Sequence, residues 1–79
     1  MVTDLGLRLQ HLKFERSLLQ KDIAKDVGLP LRTYQCYEKA ESHPTTLTII
    51  KLCRYFNVSA DYLLGLSDEP RPLQPASDG

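Results

Sequence analysis

Gln20-Lys-Asp-Ile23-Ala24-Lys-Asp-Val27-Gly28-Leu-Pro30-Leu31-Arg32-Thr-Tyr34-Gln35-Cys36-Tyr37-Glu38-Lys39 is the stretch that decides the fold. Ile23, Ala24 and Val27 fall at i, i+1 and i+4, a stripe on one side of a helix, while Lys21, Asp22, Lys25 and Asp26 take the wet side. Gly28 then marks a helix end, where the chain turns through a left-handed conformation. Pro30 forces Leu29 out of the α region and pre-sets its own φ for the first turn of a following helix. That helix is expected from Pro30 to Lys39. Tyr34, Tyr37 and Glu38 face one way on it; Arg32, Gln35, Cys36 and Lys39 face the other.

Two short helices joined by a tight turn, with Ala24 small enough to let the axes approach, are the recipe for a helix-turn-helix. The outward polar face of the second helix has the dimensions to enter a major groove about 12 Å wide. Upstream, Leu5, Leu9 and Leu12 share one arc of a first helix, expected to be capped at Thr3 or Asp4 and to run to Arg16. Leu7 and Phe14 form a second apolar stripe on that helix, a candidate surface for a protein partner. Downstream, Pro44 and Thr45-Thr46 open a fourth helix whose inner face is read as Ile49, Ile50, Cys53 and Phe56, closed at Asn57. Ser59 caps a short fifth helix, Ala60 to Leu64, stopped by Gly65. The fold expected is all-α, five short helices in residues 1–66, followed by a flexible acidic Pro-containing tail over 67–79.

The composition narrows the function. Seventy-nine residues with 42% hydrophobic content allow one small domain with its own core. No apolar run approaches the about 20 residues that span a bilayer, and no signal peptide opens the chain, so a cytoplasmic, nucleoid-associated location with no membrane contact is expected. Ten Lys/Arg balance ten Asp/Glu, yet the charge is uneven. Residues 1–54 hold nine Lys/Arg against six Asp/Glu, a balance of +3; residues 55–79 hold one against four, −3. A mildly basic body suits a polyanion partner only weakly. Cys36 and Cys53 read as reduced thiols, and with His11 and His43 they lack metal-ligand spacing. The glycines form no phosphate loop and no catalytic set falls on neighbouring faces, so no enzyme, cofactor or metal is expected.

Four motifs give a resemblance. Gln20-Lys-Asp-Ile-Ala-Lys-Asp-Val-Gly28 resembles the S-Q-x-x-L-A-x-x-x-G signature of the Cro/phage-repressor (XRE-type) helix-turn-helix family. Tyr37-Glu38 is similar to its Y/W-E ending, and Asn57-Val-Ser-x-Asp-Tyr-Leu-Leu-Gly65 to its fifth-helix motif. The first-helix pattern Leu5-Gly-x-Arg-Leu-x-x-Leu-Lys13 also matches. The resemblance covers residues 5–68 in register. It implies a lambda-repressor-like five-helix DNA-binding domain with the helix-turn-helix at helices two and three, acting as a homodimer on a pseudo-palindromic operator, most simply as a repressor.

Carried over position by position, the resemblance has Gln20 donating to a phosphate of double-stranded DNA. Leu31, Arg32, Gln35 and Cys36 meet base edges or adjacent backbone, and Lys39 reaches phosphate. Arg32 is the principal reader, since its fork pairs with guanine O6 and N7. Lys13 and Glu38 are expected to form a structural ion pair, and Val58, Tyr62 and Leu66 a dimer contact. Four departures stand out: Leu19 where the family favours a Ser or Thr cap, Ala40 where Gly ends helix three, and apolar Leu31 and weakly hydrogen-bonding Cys36 at reading positions. The alternatives are an antitoxin, a restriction–modification controller, or a protein-interaction module that kept the fold and lost DNA affinity.

Overall fold

A computed structural model describes residues 5–70. The cap expected at Thr3 or Asp4, and the tail beyond residue 70, lie outside that range. Five helices run in order: α1 (Leu5–Glu15), α2 (Gln20–Val27), α3 (Leu31–Glu38), α4 (Thr46–Phe56) and α5 (Ala60–Leu63), with no strand among the described residues. The predicted stripes of α1, α2 and α3 all point inward. Leu5, Leu9 and Leu12, then Ile23, Ala24 and Val27, then Tyr34 and Tyr37 join Leu52, Phe56, Val58, Tyr62 and Leu63 in one core. α3 packs against both α1 and α2, while α4 closes on α2 and α5, and α5 returns to α1. α3 is thus held from two sides with its remaining face left outward.

All five helices end alike. Ser17, Gly28, Ala40, Asn57 and Gly65 each follow a helix with positive φ, between 54° and 85°. Behind each, an amide reaches back five residues to a carbonyl of the last turn: Leu18 to Lys13, Leu29 to Ala24, Glu41 to Cys36, Val58 to Cys53 and Leu66 to Asp61. These bonds satisfy carbonyls that the helix itself leaves without donors. At the starts, Thr45 Oγ accepts from the Thr48 amide and Ser59 Oγ from the Tyr62 amide, whereas Leu19 at the α2 cap offers no side-chain acceptor.

Several boundaries and faces differ from expectation. α3 begins at Leu31, because Pro30 keeps an extended ψ of 143° and serves as the flanking cap residue, its carbonyl accepting from the Tyr34 amide. Ile50 is exposed, and Leu52, absent from the expected inner face of α4, is fully buried. At about 100° per residue Ile50 lies about 120° round the helix from Phe56, and Leu52 only about 40°. α5 ends at Leu63, with Leu64 as its cap residue. The chain does not leave the body at Ser67: Asp68 accepts from Arg8 at 3.0 Å, and the Pro70 carbonyl accepts from the Ser59 amide at 2.9 Å. The fold-back antiparallel to α5 is what a boundary drawn on proline content alone could not register.

Candidate nucleic-acid interface

α3 presents its outer side as a strip. Arg32 and Lys39 are exposed, neither has an ion pair among the described residues, and Leu31 beside them is exposed as well. Gln35 and Cys36 are half-buried between the strip and the body. An outward apolar Leu31 next to an outward guanidinium suits a surface that offers methyl groups and hydrogen-bond acceptors together. Cys36 and Cys53 are both free thiols, and burial pushes the Cys53 thiol up.

Under the strip lies a polar network centred on Glu38. Lys13 Nζ stands 3.1 Å from Glu38 Oε1, with side-chain exposures of 16% and 4%. Gln20 Nε2 donates to the same oxygen at 2.9 Å, and Gln35 Nε2 donates to Gln20 Oε1 at 3.1 Å. Gln10 Nε2, from α1, donates to the Glu38 backbone carbonyl at 2.8 Å. These bonds narrow what Gln20 can offer outward without removing the contact expected of it. One of its two amide hydrogens is committed to Glu38 and its carbonyl to Gln35, which leaves one N–H for an external acceptor. The network joins the start of α2 to the middle and end of α3.

Two buried atoms in this region complete no hydrogen bond, the Tyr34 hydroxyl and Glu38 Oε2. Burial, and after it the neighbouring Glu38 carboxylate, pushes the Tyr34 phenol far above its ordinary range. Tyr34 is therefore a core residue.

The three residues expected at a dimer contact differ in exposure. Val58 is 3% exposed and Tyr62 7%, both within the core; Leu66 is 69% exposed. Tyr62 is covered because the Arg8 guanidinium lies 4.2 Å from its ring centroid while the same side chain holds Asp68. Leu7 and Phe14 are exposed, as their stripe requires. Sequence reasoning passed over Gly6 and Gln10, whose signal was their spacing from Lys13, seven and three residues, on one side of α1.

The comparisons with known proteins agree with this architecture. The family model described as Helix-turn-helix (HTH_3) matches residues 10–63. The chain is 34% identical over 65 residues to the HTH-type transcriptional regulator YobD of Bacillus subtilis, covering 82% of this chain and 58% of that protein. It is 36% identical over 61 residues to the HTH-type transcriptional regulator ImmR of Bacillus subtilis (77% and 48% covered). To the cryptic phage CTXphi transcriptional repressor RstR of Vibrio cholerae it is 31% identical over 61 residues (77% and 55%). A solved structure, a transcriptional regulator from Listeria innocua, superposes with a TM-score of 0.78 at 30% identity, over 87% of this chain and 64% of that one. The chain spans about half the length of these curated relatives. With the matched segment running from α1 into α5 and enclosing the whole α2–turn–α3 unit, the chain belongs to the Cro/phage-repressor (XRE-type) helix-turn-helix family.

Proposed function

We propose that this chain is a sequence-specific double-stranded DNA-binding transcriptional regulator, a repressor that acts as a homodimer on a pseudo-palindromic operator in the cytoplasm. The observation that carries the reading is the strip Leu31, Arg32, Gln35 and Lys39 on a helix whose opposite side, Tyr34, Tyr37 and Glu38, is buried. Arg32 reads guanine, Gln35 reads adenine or holds phosphate, and Gln20 and Lys39 set the register through phosphates. The relatives named as transcriptional regulators, one of them a phage repressor, support the same class.

Selection from a random duplex library, followed by binding at several salt concentrations, tests it. The expected result is a recovered palindrome with half-sites about one turn, about 34 Å, apart, and a log–log salt slope of several units. Undetectable affinity at low salt, or affinity with no slope, overturns it in favour of a protein-interaction module.

A further inference from the structure

α1 meets the end of α3 through three residues at i, i+4 and i+7: Gly6, Gln10 and Lys13. A Cβ at Gly6 would lie 2.6 Å from the Glu38 carbonyl oxygen and 3.0 Å from that of Tyr37. Both atoms are backbone, so neither can swing aside; only hydrogen at this position lets α1 come so near. Gln10 Nε2 donates to the same Glu38 carbonyl at 2.8 Å, and Lys13 Nζ lies 3.1 Å from the Glu38 carboxylate. The carbonyls of a helix's last turn have no partner within the helix, and here one of them is claimed by a side chain of another element.

We infer that Gly6 and Gln10 are positioning residues that fix the tilt of α3, and through it the placement of Arg32 and Gln35 on base edges. The inference rests on the DNA-reading function proposed above. α3 spans eight residues, about 12 Å, and moves as a rigid rod. Its far end is held by the turn at Gly28 and by Tyr34 in the core. A displacement of the Glu38 end therefore swings the strip rather than sliding it. Bidentate contacts to a base edge depend on that orientation, whereas attraction to phosphates does not.

The test compares the native chain with Gln10→Met, Gln10→Lys and Gly6→Ala on two duplexes, the one selected from the random library and a scrambled version. Gln10→Met keeps length and volume but removes the donor. We expect its Kd for the selected duplex to weaken about tenfold, with the scrambled duplex within about twofold and the salt slope unchanged. Gln10→Lys, which restores a donor to the Glu38 carbonyl, recovers the ratio between the two duplexes. Gly6→Ala loses the ratio as Gln10→Met does; should it fail to fold, the Gln10 pair decides alone. Native discrimination in Gln10→Met overturns the inference, as do equal losses on both duplexes in step with a lowered Tm. A native chain that binds neither duplex overturns the function proposed above, and this inference with it.

Discussion

Glu38 takes two donors on one carboxylate oxygen and none on the other, at 5% exposure. A buried charge held this way is costly to uncover from either side. Glu38→Ala strands Lys13, whose side chain is 16% exposed, and frees Gln20; we expect a loss of about 3 kcal/mol by urea unfolding, at the low end for a buried pair because Lys13 retains some water. Tyr34 buries its hydroxyl against the same carboxylate, so Tyr34→Phe removes a polar contact to Glu38 and should cost about 1 kcal/mol at neutral pH. A phenol raised by burial supports the folded state fully below its unfolded value of about 10, and that support is lost as pH rises from there toward the folded value. Denaturation between about pH 9 and pH 12 should therefore show a smaller alkaline fall in Tyr34→Phe than in the native chain. A parallel fall in both would mean that Tyr34 does not carry the transition.

Helix ends are where local chemistry and observed structure diverge most instructively. Gly28, Gly65 and Asn57 are residue types that accept positive φ with little strain, so their helices' ends are legible from the residues themselves. Ser17 and Ala40 take the same conformation, at φ of 54° and 61°, without that advantage. Ala40 was marked only by the family pattern, and Ser17 by nothing local; its geometry is imposed by the need to close α1 on the Lys13 carbonyl. Ala40→Gly should raise stability by about 1 kcal/mol, read from the urea midpoint at unchanged m-value. Leu19→Ser should add a similar amount by giving the α2 amides the acceptor they lack, and an unchanged urea midpoint would count against it. The face of α4 was misread for a related reason. Ile49 and Ile50 are both apolar, and the period alone does not say which neighbour is inward until Leu52 and Phe56 set the phase.

For the molecule as a whole, the strip on α3 was legible from periodicity and its Lys13–Glu38 tie to α1 from the family pattern, while the rest of its support from α1 was not. Gly6 and Gln10 meet Glu38 across more than 25 residues of sequence, and no local rule connects a glycine in one helix to a carbonyl at the end of another. The proposed self-association has the same character. Val58 and Tyr62 looked available in the fifth-helix motif, but the Arg8 clamp and the fold-back through Pro70 cover that side and leave Leu66 as the apolar residue standing clear. On the proposed function one α3 reaches one half-site, and affinity for a palindrome requires a second protomer at a fixed spacing of about 34 Å. If Leu66 forms that contact, Leu66→Asp should sediment as a monomer at concentrations where the native chain is dimeric. Its binding to a full palindrome should then fall to the level of an isolated half-site, with the salt dependence per protomer retained. Phe14→Asp, on the far stripe of α1, should leave both quantities at their native values. The reverse pattern would move the twofold contact to α1, and unaltered sedimentation in both variants would remove the dimer from the mechanism.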